Sequence, residues 1–274
     1  MGQYQRPGRA GSAVFGKKSD PGRIIDMKQL VAWPYPRWIA HRGAGKLAPE
    51  NTLAAFRLGA AQGYRMFECD AKLSADGVPF LLHDATLERT TSGRGIGGDR
   101  PWSELSLLDA GGWHSRAFAG EPLATLENTA RFCLANGHLL NIEIKPTPGH
   151  ERRTGDVVAA QAARLWAGAA VPPLLSSFKT EALEGAQASA PQLPRALLLD
   201  TLWLGWLDAA LRLGCVAIVC NHALWDAATV AQVRAAGMRT VSYTVNDDWA
   251  AERLIALGTD GIITDRVDLF SPRR

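Results

Sequence analysis

Ionisable side chains stand within or directly after short apolar runs of this 274-residue sequence. Seven of them are notable for their type and spacing: His41, Arg42, Glu68, Asp70, His83, Glu143 and Lys145. Taking so many charges out of water is costly unless the charges have a use. The set as a whole therefore indicates a functional site.

The acidic members of the set are placed to meet on one surface. Glu68 and Asp70 are two residues apart, and so are Glu143 and Lys145, so each pair faces one side of a strand. Converging carboxylates repel one another unless a positive group neutralises them. One divalent cation with oxygen ligands, Mg²⁺ or Ca²⁺ in preference to zinc, would do so because no Cys or His need join the set. The alternative for any single residue is a buried ion network with Arg42 and Lys145.

Two histidines, His41 and His83, accompany the carboxylates. Cleavage of a phosphodiester needs a base for the nucleophile, an acid for the departing oxygen and cations for the phosphate. The histidines, a metal and Arg42 together would supply those groups. Glu50 follows shortly afterwards, where it either contacts the site or simply precedes a helix.

Elements that could position these residues follow from the alternation of apolar runs with helical patterns. Strands are predicted at 38–42, 66–73, 139–145, 173–178, 195–200, 216–221, 239–245 and 261–265. Helices are predicted at 52–62, 125–136, 152–168, 179–189, 204–212, 225–236 and 247–257. Eight strands that each feed a helix favour an α/β fold, a (β/α)₈ TIM barrel, whose strand ends converge on one open face. An open doubly wound sheet is the alternative, but the sequence lacks its Gly-rich phosphate loop.

One further run, residues 78–84, follows the second predicted strand after an Asp-Gly dipeptide, which is a hairpin signal. A two-residue loop there would place Asp70 opposite His83. The Gly-rich, polar stretch 85–122 shows no sustained period. We predict that it forms an insertion after strand two, of the kind that often builds a lid or a substrate wall.

Composition and charge bear on the domain organisation, the binding partners and the cellular location of the protein. Residues 1–30 hold six Lys and Arg against two Asp, a charge of +4 in a chain of formal net charge +3, so residues 31–274 carry −1. We therefore expect a disordered basic tail at 1–30, one folded domain at 31–274 and no nucleic-acid partner. No apolar stretch approaches the roughly 20 residues that span a bilayer. Without a signal-peptide core either, we expect a cytoplasmic protein with no stable membrane insertion.

The four cysteines are Cys69, Cys133, Cys215 and Cys220. They show no C-x-x-C spacing and lie in apolar surroundings, which is typical of reduced core thiols. We predict no disulfide framework.

A set of linked motifs spans residues 38–270: "HRG", "APENT", "ECD", "DGVPFLLHD", "TLERTTSGRG", "NIEIK" and "YTVND". In order and spacing they resemble the motifs of the glycerophosphodiester phosphodiesterases. The resemblance implies a (β/α)₈ barrel with an insertion after strand two. It also implies hydrolysis of small glycerophosphodiesters to glycerol 3-phosphate and an alcohol.

The same resemblance implies roles for individual residues. These roles are an acid/base pair at His41 and His83, divalent-metal ligands at Glu68, Asp70 and Glu143, and phosphate-binding cations at Arg42 and Lys145. Glu50 matches a glutamate that supports Arg42 or the substrate. Tyr243 stands where many members have Trp, and it would line the glycerol side of the pocket.

Two other functions stay open at this stage. Phospholipase D-like or phosphoinositide phospholipase-like action on intact lipids would favour an exposed apolar or basic rim. Trp102, Trp113 and Phe118 of the insertion could supply that rim or could form a small core instead. A non-catalytic binder of phosphate ligands is the other possibility, although such a protein would be expected to lack a histidine or a metal carboxylate. The pattern does not indicate an oligomeric state.

Overall fold

Parallel strands pair around a closed ring in the computed structural model, which describes residues 1–2, 32–270 and 272. The strands are β1 (Trp38–Ala40), β2 (Met66–Leu73), β3 (Pro79–Leu81), β4 (Leu139–Ile144), β5 (Leu174–Ser177), β6 (Arg195–Leu199), β7 (Cys215–Asn221), β8 (Arg239–Tyr243) and β9 (Gly261–Thr264). Pairing runs from β1 through β9, β8, β7, β6, β5 and β4 to β2, and β2 pairs with β1 to close the ring. The predicted TIM barrel of eight parallel strands is confirmed, and β3 is an additional strand on its edge.

Helices connect the strands on the outside of the barrel. They are α1 (Leu53–Ala61), α2 (Trp102–Leu105), α3 (Leu126–Asn136), α4 (Glu151–Leu165), α5 (Thr180–Ser189), α6 (Trp206–Arg212), α7 (Ala227–Ala235) and α8 (Asp248–Ala256). Side-chain caps start several of them: Thr52 accepts a hydrogen bond from the Ala55 N–H, and Asp226 accepts one from the Thr229 N–H. These caps start α1 and α7 after the segments that follow β1 and β7.

The barrel interior is filled by apolar side chains that alternate with outward-facing ones. Ile39, Met66, Leu174, Ala217 and Val241 form part of this cluster and are almost completely buried. Such layers close the barrel below the strand ends. Polar side chains at those ends consequently face a short, closed-bottomed cavity.

The antiparallel strand β3 corrects one prediction. Ala71 of β2 pairs with Leu81, and the Leu82 N–H donates to the Asp70 carbonyl at 3.0 Å. Asp70 therefore stands opposite Leu82, and the predicted register that set it opposite His83 is wrong by one residue. In a strand pair, such a slip moves a side chain to the other face.

The slip arises in the hairpin loop, which contains residues 75–77 instead of two residues. The Ser74 N–H donates to the Val78 carbonyl at 3.0 Å, and the Ser74 hydroxyl accepts the Val78 N–H at 2.9 Å. Gly77 takes the left-handed conformation with φ of +83°, which is the third position of a common three-residue hairpin. The Asp-Gly signal marked the turn correctly but not its length.

The insertion at 85–122 contains α2 and short turns that pack in a small apolar cluster with β3 and its neighbours. The buried members of the cluster are Leu87, Leu105 and Ala110 of the insertion with Phe80, Leu82 and Leu123 outside it. Trp102 packs against this cluster, and Phe118 packs against the main core. Trp113 is 41% exposed. Two of the three aromatic residues considered for a lipid-facing rim are therefore engaged in packing.

The other predictions about the chain have mixed outcomes. All four cysteines are buried with free thiols, as predicted. The first strand ends at Ala40 and not at residue 42, because Arg42 adopts a left-handed backbone conformation with φ of +51°. None of the helices in the described ranges is both long enough and apolar enough to cross a membrane. The predicted basic tail lies outside the described residues, apart from positions 1 and 2.

Candidate active site

A cavity of about 210 Å³ opens at the carboxyl ends of the parallel strands. Its wall includes His41, Arg42, Glu68, His83, Glu143, Lys145 and Tyr243. Asp70 lies behind them and is 1% exposed. A larger cavity of about 640 Å³ lies at the amino ends of β2 and β4, beside Arg65 and Leu139, and no carboxylate lines it among the described residues. The smaller cavity is therefore the one with the groups for chemistry.

Three carboxylates form the floor of this cavity. Asp70 of β2 stands beside Glu143 of β4 in the strand register, and Glu68 is one inward-facing position earlier on β2. One oxygen from each carboxylate can be chosen so that all three lie within 4.8 Å of one another. Glu68 Oε1 and Asp70 Oδ1 are buried without a hydrogen-bond donor. Unsatisfied buried oxygens arranged in this way are a suitable donor set for a hard divalent cation.

The charge state of the three carboxylates is uneven. Burial, with the neighbouring charges of Asp70 and Glu143, raises the pKa of Glu68 well above its usual value. Burial and Asp70 raise the pKa of Glu143 to about 7. Burial opposes ionisation of Asp70 as well, but the charges of Arg42 and Lys145 outweigh it and lower its pKa to about 2. The protein's own cations thus neutralise part of the cluster, and a bound cation would favour full ionisation of the rest.

Arg42 lies directly above the carboxylates because of its unusual backbone. In its left-handed conformation the Arg42 N–H donates to Glu68 Oε2 at 3.1 Å. Its guanidinium donates to Glu50 Oε1 at 2.8 Å, and its Nε lies 3.3 Å from Asp70 Oδ2. A non-glycine residue with positive φ costs about 1–3 kcal/mol and persists where the surroundings enforce it. Here three carboxylates hold the main chain and side chain of Arg42 in place.

Asn51 completes this part of the site and was not predicted to do so. Its side-chain amide donates to Asp70 Oδ2 at 2.8 Å, and its Oδ1 accepts the Asp70 N–H at 3.1 Å. The residue is buried and has a φ of +61°. Asn51 thereby fixes one oxygen of Asp70 and leaves the other directed at the cluster.

Lys145 follows β4 and reaches back over the cluster. Its ammonium donates to Glu143 Oε1 at 2.7 Å and lies 3.8 Å from Asp70 Oδ1. It also lies 5.4 Å from the centre of the Phe178 ring, within range of a cation–π contact. Lys145 is therefore a second cation, beside Arg42, in the cavity wall.

His41 is held by a carboxylate that follows the last strand. Its Nδ1 lies 2.6 Å from Asp265 Oδ1, and its Nε2 lies 3.8 Å from Glu68 Oε2. Asn246 donates to the other Asp265 oxygen at 3.0 Å. Burial opposes ionisation of Asp265, but the hydrogen bond from His41 outweighs burial and lowers the pKa of Asp265 to about 2. Because Asp265 is ionised, Nδ1 of His41 is the donor and Nε2 faces the cavity.

Close packing behind His41 requires a glycine. Gly45 has a φ of +56°, and a Cβ built on it would lie 2.1 Å from the Asp265 carbonyl oxygen. The loop after β1 therefore approaches Asp265 more closely than any side chain permits. This contact joins the first and last strands at the point where His41 and Asp265 meet.

His83 has its own carboxylate partner in the next residue, directly before the insertion. Its Nδ1 lies 2.7 Å from Asp84 Oδ1. Arg89 donates to Asp84 at 2.6 and 3.1 Å and to both oxygens of Glu50 at 2.8 Å. Burial is the main cause that lowers the pKa of His83 from its usual value. The predicted residues Arg42 and His83 are thus connected through Glu50, Arg89 and Asp84.

Tyr243 forms the far wall of the cavity at the end of β8. Its hydroxyl donates to the Leu199 carbonyl at 3.0 Å, and its ring meets the Phe178 ring edge-on at a centroid distance of 5.7 Å. The two aromatic rings give the cavity an apolar part of its wall, beside the charged groups. The structure therefore brings together all nine residues that the sequence predicts for the site.

Four contributing residues were missed: Asn51, Asp84, Arg89 and Asp265. Asn51 and Arg89 stand inside two of the motifs quoted above, and Asp84 directly follows His83, so adjacency was the available signal. Asp265 is separated from His41 by 224 positions. Its only signal was its place as the final residue of the last predicted strand, 261–265, which barrel closure brings beside the first.

Comparison with known proteins extends these observations. The model of the glycerophosphoryl diester phosphodiesterase family matches residues 41–269. A glycerophosphodiester phosphodiesterase of Caldanaerobacter subterraneus is 32% identical over 243 residues, which cover 87% of this chain and 95% of that protein.

Two solved structures are similar across the barrel. An Oleispira antarctica phosphodiesterase in complex with the product sn-glycerol-3-phosphate is 34% identical, with a TM-score of 0.78, and the match covers 84% of this chain and 93% of that one. A glycerophosphodiester phosphodiesterase from Agrobacterium tumefaciens is 32% identical, with a TM-score of 0.72, covering 86% and 99%. The match to the family model begins at His41 and includes every residue of the cavity wall named above. The chain therefore belongs to the glycerophosphoryl diester phosphodiesterase family, whose members are hydrolases of phosphoric diesters.

Proposed function

We propose that this protein hydrolyses glycerophosphodiesters to glycerol 3-phosphate and an alcohol, with one divalent cation and with His41 and His83 as acid and base. Glu68, Asp70 and Glu143 would hold the cation, which is Mg²⁺ or Ca²⁺ on the chemistry of an all-oxygen donor set. The observation that carries the proposal is a single cavity lined by two histidines, two cations and two carboxylates, with the third carboxylate, Asp70, directly behind its wall.

Binding of the phosphodiester depends on the positive groups of the cavity. Arg42 and Lys145 approach different oxygens of Asp70 in the carboxylate cluster, at 3.3 Å and 3.8 Å. Both would donate to the non-bridging phosphate oxygens, where negative charge accumulates as phosphorus becomes five-coordinate. The bound cation would supply Lewis-acid stabilisation of the same charge. Glu50 orients the Arg42 guanidinium, and its second partner Arg89 keeps it ionised.

Proton transfer falls to the two histidines. One would remove a proton from the incoming oxygen, which is water or the neighbouring hydroxyl of the substrate's own glycerol. A new P–O bond forms, the P–O bond to the alcohol breaks, and the second histidine gives its proton to the departing alcohol oxygen. Where the glycerol hydroxyl attacks, water then opens the resulting cyclic phosphate. Asp265 and Asp84 would fix the ring orientation of His41 and His83 and stabilise each ring when it is protonated.

Turnover of a simple substrate tests the proposal. Purified protein is incubated with glycerophosphocholine, and release of glycerol 3-phosphate is measured with added Mg²⁺ or Ca²⁺ and then with excess chelator. We expect release that depends on the metal. A bell-shaped dependence of kcat/KM on pH is also expected, because one histidine must be protonated and the other neutral.

Two results would contradict the proposal in different ways. Undiminished release in excess chelator, after the metal has been removed by dialysis, would refute the role of the cation. No release with either metal from a panel of glycerophosphodiesters would refute the substrate class, and intact phospholipids would then be the next substrates to assay.

A further inference from the structure

A second cavity of about 240 Å³ adjoins the catalytic one on the β4 and β5 side of the barrel mouth. The two cavities share four wall residues: His83, Glu143, Lys145 and Phe178. The catalytic cavity continues from this shared wall towards Tyr243 and Leu198. The second one continues outwards, towards Lys72 and Lys179.

The charges of the second cavity are predominantly positive. Its described wall includes three lysines, Lys72, Lys145 and Lys179, against the single carboxylate Glu143. Glu143 is already paired with Lys145 at 2.7 Å. Lys72 is 1% exposed and donates to the Lys145 carbonyl at 2.9 Å. The outer end of the cavity is therefore positive at Lys179, which is exposed to solvent.

Lys179 occupies a position that is unfavourable for the stability of its helix. It is the N-cap residue of α5, where its side chain accepts no hydrogen bond. Ser, Thr, Asp and Asn are preferred at such positions because they cap a backbone N–H, and a positive charge there opposes the helix dipole. A residue that disfavours the secondary structure in which it lies, such as a lysine at a helix N-cap, is expected mainly at a functional site.

The backbone at this position is nevertheless well fixed. The Lys179 N–H donates to the Ser177 hydroxyl at 3.1 Å, and that hydroxyl donates to the Ile144 carbonyl at 2.7 Å. Glu181, in the first turn of α5, is exposed, and Glu151, in the first turn of α4, is half-buried and near enough to Lys179 for the lysine charge to contribute to lowering its pKa. Neither carboxylate is part of the cavity wall, and no carboxylate in the described ranges forms an ion pair with Lys179. The Lys179 ammonium can therefore meet a group that enters the second cavity.

The geometry of phosphodiester cleavage indicates which part of the substrate each of the two cavities would bind. The phosphate must lie at the shared wall, beside Lys145 and His83, if the proposed function holds. In-line displacement places the leaving oxygen opposite the incoming one, so the two ester substituents extend in different directions. The inner cavity, between Tyr243 and Phe178, is of a size for glycerol, and the outer cavity remains for the variable alcohol.

We propose that the second cavity binds the leaving alcohol and that Lys179 makes the enzyme prefer alcohols with an anionic group, such as a carboxylate, over alcohols with a quaternary ammonium. This inference rests on the proposed function and specifies the substrate class of the same site. Lys179 acts here as a specificity residue, and the bond-breaking step does not involve it.

Three diesters of similar size test this preference. They join glycerol 3-phosphate to 3-hydroxypropionate, to propanol and to choline, whose alcohol parts are anionic, neutral and cationic. We expect the highest kcat/KM for the anionic alcohol. An exposed ion pair contributes up to about 1 kcal/mol, which is roughly a fivefold effect on the ratio of anionic to neutral substrate.

Substitutions at Lys179 test whether the charge of this side chain causes the preference for the anionic alcohol. Lys179→Gln should abolish the advantage of the anionic alcohol, and Lys179→Glu should reverse the order in favour of choline, with the change in KM and not in kcat. Arg57→Glu, on the exposed face of α1, changes the net charge equally and should leave the ratios as in the wild type.

The outcomes distinguish the two proposals. Turnover of all three diesters with ratios that Lys179→Glu does not change would overturn the specificity assignment and leave the reaction intact. Failure of the wild type to cleave any of the three would overturn the proposed function and, with it, the assignment of the second cavity.

Discussion

Replacement of Asp265 by Asn would test the least predictable contact of the site. The Asp265 carboxylate accepts a hydrogen bond from His41 at 2.6 Å and another from Asn246 at 3.0 Å. Asp265→Asn keeps the size of the side chain but removes its charge. The protonated form of His41 then loses its counter-ion, and the new amide has one acceptor oxygen for two donors, His41 Nδ1–H and the Asn246 amide.

The size of the effect follows from this contact. A hydrogen bond to a charged group contributes about 1.5–3 kcal/mol, so we expect kcat/KM to fall roughly 10- to 150-fold, since about 1.4 kcal/mol corresponds to a factor of ten. Stability should fall as well. The pKa of Asp265 is lowered from 3.8 to about 2, a difference that corresponds to about 2.4 kcal/mol at about 1.36 kcal/mol for each unit of pKa.

The sign of the pH dependence is fixed by the lowered pKa. A carboxylate whose pKa is lower in the folded state stabilises the fold fully above its unfolded pKa of about 3.9, and this contribution is lost as the pH falls towards 2. Urea unfolding should therefore show Asp265→Asn less stable than the wild type at pH 7, with a smaller difference at pH 3. Asp268→Asn, an exposed carboxylate in the same loop, is the matched control. Turnover of Asp265→Asn within threefold of the wild type would refute the positioning role.

Substitutions at three further positions test other parts of the site. His83→Ala should lower kcat by about 10²- to 10⁴-fold with an unchanged urea midpoint, and retention of a tenth of the activity would exclude the acid/base role. Gly45→Ala should lower the free energy of unfolding by about 1–3 kcal/mol, because the new Cβ meets the Asp265 carbonyl. Full stability of this variant in urea would contradict the close approach described above. Arg89→Ala should lower kcat/KM a few-fold. Arg89→Lys should not restore it, because the ammonium cannot bind both oxygens of Glu50. Wild-type kinetics for Arg89→Lys would show that the paired hydrogen bonds are dispensable.

Much of the site was predictable because the period of two along a strand and the closure of the barrel can both be inferred from the sequence. Glu68 and Asp70 share a face since side chains alternate along β2, and Glu143 joins them because β4 is the next parallel strand. Charged residues in otherwise apolar runs marked the positions where β2 and β4 reach the open face. The motif resemblance then supplied roles that spacing alone left open.

The missed features depend on details that a linear pattern does not contain. Ser74 adds a residue to the hairpin loop through its own hydrogen bonds, which shifted the register at Asp70. Arg42 and Asn51 adopt positive φ angles that intrinsic preference disfavours, and only their carboxylate partners explain them. The link from His41 to Asp265 exists only once the barrel closes.

Metal binding and turnover, measured on the same preparation, test the central claim most directly. Mg²⁺ is titrated into metal-depleted protein by calorimetry, and glycerol 3-phosphate release is followed over the same Mg²⁺ concentrations. Both assays are run on the wild type, on Glu68→Gln and on Glu127→Gln, a control on the outer helix α3. We predict that turnover rises in parallel with occupancy in the wild type and in Glu127→Gln, and that Glu68→Gln loses both together. Equal binding and equal turnover in Glu68→Gln, or full turnover of the wild type without bound metal, would contradict the assignment of the cation to this cluster.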